Sequence, residues 1–445
     1  MGDKPIKILI AEWVPSLNKG ELAILKGMLK TFKALGKVEV SIFSFCPYID
    51  KKRYPKNVKI IDIGSDLCIG YGDSLIEASR LVEAKAFFFS AVQHLFFALA
   101  AKILGKNVLR FMNKSVWKEY YRSDVIIICH DGVSCVGGFV LFLSPLYITL
   151  LAKFLRKPIV IYANGTHSFG RKIWKILATF VLNSVDLITV RDEESFSYLK
   201  KFVWNKARIH LTGDPAILLP SVDSRKVREI MLREGVNEDG GLLVGVAISH
   251  EVLSSAFRGY MNTDGAYRKA VREIAKVLDR LVESFQASIV FVPHCIEPYH
   301  RRDDRIIARE IHNAMKNKHK VHIITNEYSP EELKGLIGQF DIFISSRIHS
   351  VINALSMGVP TCCITRSSDK RACGLIGKML MQERWIYNVE NLNANNIFTH
   401  IATLISNSNK IRSELPSIIR SAKKRAMLNG KLLKALLDSR KNQVR

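Results

Sequence analysis

The residues with the clearest capacity for chemistry lie in D-I-F-I-S-S-R-I-H-S-V-I-N-A-L-S-M-G-V-P, at positions 341–360. A short apolar run gives way there to apolar residues at helical spacing, which predicts a strand, a tight turn and a helix, with Arg347 and His349 at the turn. Backbone amides at a helix N-terminus bind anions, Arg adds a planar fork of donors, and His carries a proton near neutral pH. The segment therefore predicts an anion site with a proton carrier beside it, although a loop arginine and a half-buried helical histidine explain the spacing equally well.

The rest of the chain alternates between short apolar runs and amphipathic stretches, the pattern of strands and helices in parallel α/β domains. The predicted strands are residues 6–11, 38–45, 125–129, 159–163, 187–190, 242–248, 289–292, 321–325 and 342–344. Pro220 and its polar neighbours interrupt the pattern at 218–227, where we predict a hinge. After Trp385 the pattern is mainly helical. The predicted fold class is therefore α/β, with two Rossmann-like domains and a C-terminal helical tail.

Composition is that of a globular protein of the cytoplasm. The 445 residues are 48% hydrophobic, which is enough for two or three domains with substantial cores. The eight cysteines include no C-x-x-C pair and no Cys/His cluster at zinc spacing, so we expect neither a disulfide framework nor a metal site. The first residues enter a strand directly and lack the apolar core of a signal peptide, so a cytoplasmic location is expected.

The net charge of +25 has three candidate explanations: nucleic acid, an anionic membrane surface, and anionic small substrates. The sequence contains no helix-turn-helix, zinc-finger or RNA-recognition signature, which argues against a nucleic-acid partner. Residues 410–445 hold eleven Lys and Arg against two acidic residues, interleaved with Leu, Ile and Met, and this favours a lipid surface. We therefore expect the protein to be peripheral at the inner face of the membrane, held there by this tail.

Two uncharged stretches bear on the same question. Residues 86–101 carry five Phe, and residues 132–152 are uncharged for 21 residues, long enough to span a bilayer on count alone. Glycines at the start of the second stretch, with Ser144 and Pro145 at its centre, favour a loop followed by a buried helix instead. The Phe-rich stretch is expected to be the exposed one, and such patches mark a partner or membrane surface.

Several motifs resemble those of the polysaccharide pyruvyl transferase family. The C-terminal signature is matched by S-P-E-E-L at 329–333, Asp341, S-S-R-I-H-S at 345–350, M-G-V-P at 357–360 and Lys370. Earlier matches are Asn18, Gly20, Ala23 and Ile24 of an N-x-G-D-x-A-I pattern, R-D-x-x-S-x-x-x-L from Arg191 to Leu199, and Asp214 with Pro215. Glu21 stands where the family usually has Asp. Two glycine-rich loops of the family are replaced by H-D-G-V-S-C-V-G-G-F at 130–139 and N-G-T-H at 164–167.

This resemblance implies a fold of glycosyltransferase-B type. It would comprise an N-terminal Rossmann-like domain at 1–218 on the acceptor side, a C-terminal Rossmann-like domain at 225–390 on the donor side, and a basic helical tail at 391–445. It also implies transfer of the pyruvyl unit of phosphoenolpyruvate to two hydroxyls of a sugar, giving a cyclic ketal and phosphate. The partners would be phosphoenolpyruvate and a glycan or lipid-linked glycan, with no metal and no cofactor beyond the donor.

The implied roles fall on residues in both halves. Arg347 would clamp the donor and His349 would bind it or act as general acid, with Lys370 and His294 as supporting cations. The acceptor would lie near Asn18, Gly20 and Asp131. Two further candidates for substrate contact are His167 and Arg191, each at the end of a predicted strand.

Two other functions compete with this one. A glycosyltransferase of the same architecture would use the basic turn to grip the diphosphate of a nucleotide sugar. A non-catalytic protein at the membrane surface would retain the fold and scaffold glycan assembly, and the altered loops of the first half favour it. Dependence on a particular donor separates the two enzymes, whereas the preserved Arg347, His349 and Lys370 argue against the scaffold.

Overall fold

The computed structural model describes residues 4–63, 92–101, 103–105, 115–129, 139–166, 168–236, 240–257, 263–297 and 302–444. The chain divides into two compact units. The first unit combines Met1–Ser16, Met28–Asp214 and Arg425–Arg445, and the second combines Leu17–Gly27 with Pro215–Lys424. Each unit is therefore assembled from segments that are distant in sequence.

The first unit is built on a parallel sheet. Its seven described strands have the order β3-β2-β1-β4-β5-β6-β7. They are β1 (Ile6–Trp13), β2 (Val38–Ser44), β3 (Val58–Asp62), β4 (Val125–Cys129), β5 (Ile159–Asn164), β6 (Leu187–Val190) and β7 (Ile209–Leu211). The helices up to β7 are α1 (Lys19–Phe32), α2 (Pro47–Asp50), α3 (Ser115–Arg122), α4 (Phe139–Phe154), α5 (Lys172–Ser184) and α6 (Glu193–Leu199), and residues 92–101 are also helical. Strands β4 and β5 are buried along their whole length, as expected for central strands of a parallel sheet.

The second unit repeats this plan with six described strands in the order β10-β9-β8-β11-β12-β13. They are β8 (Leu243–Ala247), β9 (Ser288–Phe291), β10 (Val321–Ile323), β11 (Ile342–Ser345), β12 (Thr361–Thr365) and β13 (Ile386–Asn388). The helices after β7 are α7 (Ser224–Arg233), α8 (His250–Leu253), α9 (Thr263–Phe285), α10 (Asp304–Ala314), α11 (Pro330–Ile337), α12 (Ile348–Ser356), α13 (Ala394–Ser406) and α14 (Ser408–Val444), and the residues of α14 from Arg425 onward belong to the first unit. The strand order reverses between β8 and β11, and ligands of such sheets bind at the carboxyl ends of the strands beside that point.

These sheets confirm the predicted α/β class with two Rossmann-like halves and a helical C-terminal tail. The proposed domain boundaries at 1–218, 225–390 and 391–445 remain predictions. The described part of the uncharged stretch at 132–152 is helical: it belongs to α4, which contains Pro145 and buries Tyr147, Ile148 and Leu151. None of the helices in the described ranges combines the length and apolar character needed to cross a membrane.

The C-terminal helix α14 buries its apolar side chains within the protein. The buried positions recur at helical spacing and are Ile411, Leu415, Ile419, Ala422, Ala426, Leu433 and Leu437. Asn429 is also buried; its Oδ1 accepts a hydrogen bond from Thr212 Oγ1 at 2.9 Å and its Nδ2 donates to Gly213 O at 2.9 Å. These apolar residues of the tail therefore pack against protein, whereas the membrane contact expected of the tail stays a prediction.

Candidate active site

A pocket of about 200 Å³ lies in the second unit at the point where its strand order reverses. Four of its lining residues follow the carboxyl ends of neighbouring strands: Ser249 after β8, His294 after β9, Arg347 after β11 and Arg366 after β12. Asn18, Gly20 and Glu21, at and just before the start of α1, also line the pocket. The pocket thus occupies the position in the sheet where an α/β fold presents ligands to strand ends and helix N-termini.

The Arg347 side chain is fixed by a buried carboxylate. Its Nε and Nη2 donate to the two oxygens of Asp304 at 3.2 and 2.5 Å. Asp304, which begins α10, also accepts hydrogen bonds from the backbone amides of His294 and Cys295 at 3.0 and 2.9 Å. This one carboxylate therefore ties together the residue after β11, the loop after β9 and the start of α10.

The pairing changes how Arg347 can bind a donor. The sequence interpretation has the whole planar fork clamping phosphoenolpyruvate, but one edge of the fork is used by Asp304. Burial works against the charge of Arg347, but Asp304, together with the nearby Cys295 and Glu251, raises the pKa of the guanidinium overall. Arg347 is therefore a permanent cation that presents its remaining Nη1 edge to a ligand.

His349 lies in the first turn of α12, half-buried in the pocket lining. Its ring packs directly on Gly20, where an added Cβ would lie 2.6 Å from His349 Nδ1. Asn18 holds this glycine in place, because its Oδ1 accepts hydrogen bonds from the amides of Gly20 and Glu21 at 3.1 and 3.4 Å. The N-x-G loop and the R-x-H turn, far apart in sequence, therefore form one site.

His294 forms part of the pocket and is almost fully buried. Its Nδ1 lies 3.2 Å from Val292 O, which assigns the proton to Nδ1 and makes Nε2 an acceptor. Burial, with the neighbouring charges of Arg347 and His349, lowers the pKa of His294 to about 4. His294 is accordingly neutral near pH 7, which corrects the sequence-based expectation that it is a supporting cation.

The neutral His294 predicts a loss of stability in acid. An unfolded histidine titrates at its ordinary pKa of 6.5, so below that pH the unfolded chain takes up a proton that the folded chain does not bind until about pH 4. The free energy of unfolding should therefore fall by about 3 kcal/mol as the pH drops through this window. Urea unfolding measured from pH 4 to pH 7 checks this, and His294→Asn should flatten the slope. His312→Asn, a matched change on α10, should keep the wild-type slope; an equal slope in all three proteins would remove His294 as its source.

The rim of the pocket carries two further arginines that sequence reasoning missed. Arg366 Nη2 pairs with Glu251 Oε1 at 2.9 Å, and Arg371 donates through Nε and Nη2 to Asp369, each at 3.2 Å. Lys370, the residue chosen from the family signature, is exposed and does not contribute to the lining, whereas its neighbours Asp369 and Arg371 do. Arg366 directly follows β12, so the rule that strand ends meet at one edge of a sheet would have identified it.

Three predicted site residues remain, and of these the structure describes Arg191, which is not among the residues that line the pocket. Asp131 and His167 lie outside the described residues. Arg191 follows β6 in the first unit, is 3% exposed, and donates from Nη1 to Asp214 Oδ2 at 3.1 Å. Its guanidinium packs over Gly165, where an added Cβ would lie 2.5 Å from Nε. Its role in substrate contact stays a prediction.

The lining is suited to an anionic ligand. Arg347 is the N-cap residue of α12 but, in the part of the chain that the structure describes, makes no capping hydrogen bond through its side chain. The positive end of the helix dipole and the first amides of α12 thus lie beside the guanidinium groups of Arg347, Arg366 and Arg371. His349 adds a group able to exchange a proton with whatever is bound there.

The fold defines the structural class of the protein. Its two Rossmann-like halves are of glycosyltransferase-B type. The chain is similar to the UDP-GlcNAc 2-epimerase from Neisseria meningitidis bound to UDP-GlcNAc, with a TM-score of 0.57, 13% identity, and coverage of 98% of this chain and 99% of that chain. It is also similar to the UDP-GlcNAc 2-epimerase from Methanocaldococcus jannaschii, with a TM-score of 0.54, 14% identity, and coverage of 90% and 93%. At these identities the likeness describes the fold alone.

Sequence comparison gives the family. The profile of the family described as polysaccharide pyruvyl transferase matches residues 18–368, and the chain belongs to this family. The resemblance drawn from its motifs is therefore confirmed, and the protein is a transferase that modifies polysaccharide. The amylovoran biosynthesis protein AmsJ from Erwinia amylovora is 22% identical over 317 residues, which cover 70% of this chain and 73% of that protein.

Proposed function

We propose that the protein transfers the pyruvyl unit of phosphoenolpyruvate to two hydroxyls of a sugar in a cell-surface polysaccharide or its precursor. The products are a pyruvate ketal and inorganic phosphate. The observation that carries the proposal is the joint placement of Arg347 and His349 at the start of α12, where a fixed cation and a proton carrier line one pocket. Phosphoenolpyruvate needs both, because its carboxylate and phosphate are anionic and its methylene carbon must gain a proton.

The reaction divides among the lining residues as follows. Arg347, Arg366 and the amides of α12 hold the carboxylate and phosphate, and His349 gives a proton to the methylene carbon, which becomes the methyl group of the product. The neighbouring carbon then bonds to one sugar hydroxyl oxygen. A second hydroxyl oxygen bonds to the same carbon as the phosphate leaves. Of the two hydroxyl protons, one replaces the proton that His349 gave up and the other departs with phosphate.

Glu21 is our candidate for the base that receives the proton of one attacking hydroxyl and then passes it to the departing phosphate. It lines the pocket at the start of α1, next to the glycine on which His349 packs. A carboxylate this close to the proton donor can accept from the attacking hydroxyl while His349 donates to the opposite side of the donor's double bond. In this proposal Glu21 acts as the base, and the Asp that the family usually has at this position would do the same with a shorter side chain.

A nucleotide sugar is the competing donor, because the arginines of the pocket would also grip a diphosphate. A screen of both donors against a panel of glycans, read by mass spectrometry, distinguishes them. We expect phosphate release from phosphoenolpyruvate together with a glycan that has gained a ketal-linked pyruvate. A hexose gained from a nucleotide sugar with phosphoenolpyruvate inert would establish a glycosyltransferase instead, and no product from any donor, with folding verified, would favour the scaffold.

A further inference from the structure

Helix α5 in the first unit exposes an apolar ridge. Ile173, Ile176 and Phe180 are 52%, 56% and 48% exposed, although large apolar side chains normally lie inside. The other side of the same helix packs into the core through Ala178, Val181 and Leu182. Helix α5 therefore carries apolar residues on both its inner and its outer side, and only the inner side is covered.

The three exposed residues form one continuous ridge. They are spaced at i, i+3 and i+7, which at about 100° per residue places them within about 60° of one another around the helix. We call them the α5 ridge. Lys172 and Lys175 are exposed and lie on the same side of the ridge, about 40° and about 100° around the helix from Ile176, and Arg171 precedes the helix. The segment 171–184 contains no acidic residue, so the charges that α5 itself carries beside the apolar strip are all positive.

A second exposed ridge lies on a neighbouring helix of the same core. Val92, Phe96 and Leu99, in the described part of the Phe-rich stretch, are 49%, 66% and 51% exposed and share one helix face. This helix contacts α4 through a hydrogen bond between His94 Nδ1 and Tyr147 OH, and α4 in turn packs against α5. We call these residues the Phe96 ridge. Both helices that flank α4 therefore expose large apolar side chains.

We propose that the α5 ridge and the Phe96 ridge bind the surface of an anionic lipid bilayer. A helix that lies in the membrane interface combines bulky apolar residues with lysines beside them, because the apolar groups enter the acyl boundary while the ammonium groups remain at the anionic headgroups. The cores of protein–protein interfaces are instead depleted in Lys. The positive flank of α5 therefore favours lipid over a second protein chain.

This assignment moves the membrane contact away from the C-terminal tail. Seven apolar residues of α14 are already buried in the protein, so that helix has fewer apolar groups to insert than its sequence suggests. Helix α5 offers both exposed apolar groups and positive charge. The net charge of +25 adds a long-range attraction to any anionic membrane.

Vesicle flotation tests the proposal on the full-length protein. Wild type should float with vesicles of equal parts phosphatidylcholine and phosphatidylglycerol and bind pure phosphatidylcholine more weakly. The triple variant Ile173→Ser/Ile176→Ser/Phe180→Ser should bind the anionic vesicles at least about a hundredfold more weakly, since each apolar side chain contributes about tenfold. Lys172→Gln/Lys175→Gln should lose about fivefold per lysine and lose part of the salt dependence of binding.

Leu232→Ser is the matched control. Leu232 is 77% exposed on α7 of the second unit, and replacing it should leave vesicle binding unchanged. Thermal unfolding of each variant establishes that it is folded. Failure of wild type to float, or equal binding by the triple variant and wild type, would overturn the proposal. A dimer seen by light scattering in the absence of lipid would also overturn the proposal if the triple variant were monomeric. The α5 ridge would then be an interface between two copies of the chain.

Discussion

Replacing His349 by Ala should lower kcat about 10²- to 10⁴-fold, the range expected when a general acid is lost. The imidazole lies in the first turn of α12 against Gly20, and in the proposed reaction it supplies the proton to the methylene carbon. The KM for phosphoenolpyruvate should change much less, because Arg347, Arg366 and the helix amides still hold the anion. Phosphate release, measured over a range of phosphoenolpyruvate concentrations with the acceptor saturating, gives the two constants separately.

Two further variants separate chemistry from packing. His349→Gln keeps most of the side-chain volume next to Gly20 but has no titratable proton, so it should be as inactive as His349→Ala. His312→Ala makes the same residue change on α10, outside the pocket lining, and should retain wild-type kcat. If His349→Gln kept wild-type kcat, His349 would be a packing residue and the proton would come from elsewhere.

Replacing Asp304 by Asn should lower the free energy of unfolding by about 3–5 kcal/mol, the cost of removing one partner of a buried ion pair. Asp304 and Arg347 have side-chain exposures of 3% and 22%, so solvent compensates little for the lost charge. The Asn side chain would also turn its own N–H groups toward the Arg347 guanidinium and the backbone amides of His294 and Cys295, which are themselves donors. Some of these donors would then have no acceptor. Urea unfolding at neutral pH measures the effect.

Asp303→Asn is the matched control for this change. Asp303 is the N-cap of α10 and accepts a hydrogen bond from the Arg305 amide at 2.9 Å. Asn caps helices nearly as well as Asp, and the ion pair that Asp303 forms with the Arg305 side chain is partly exposed, so the loss at this position should be about 1 kcal/mol or less. Similar losses at both positions would mean that the two aspartates act only as helix-terminal residues and that the Arg347 pair contributes little to stability.

The strand-end geometry of the site was predictable from sequence, whereas its pairings were not. An apolar run followed by helical spacing correctly predicted β11, the turn and α12, and therefore the location of Arg347 and His349. Asp304 was recognisable only as the start of a helix, because its partner lies 43 residues away and nothing in local spacing indicates the pairing. The charge state of His294 likewise depends on burial by the folded chain, which residue type does not encode.

The sequence also did not show in which direction certain side chains point. Within R-S-S-D-K-R at 366–371, the signature favoured Lys370, but the loop after β12 places Arg366, Asp369 and Arg371 in the lining and leaves Lys370 exposed. The tail posed the same difficulty, since its alternation of basic and apolar residues is equally typical of a lipid-binding helix and of a helix packed on protein. Side-chain direction in both places is decided by tertiary contacts.

The grouping of Leu17–Gly27 with Pro215–Lys424 restricts how this protein can be recombined with its relatives. Consider a chimera that joins the first half of one family member to the second half of another between Asp214 and Pro215. It would place the N-x-G loop of one parent beside the histidine of the other. Because Gly20 contacts His349 so closely, a mismatch of a single side chain there would obstruct the imidazole. The short segment at the start of α1 and the R-x-H turn are therefore expected to be inherited as a pair, and exchange of donor specificity would require transplanting both.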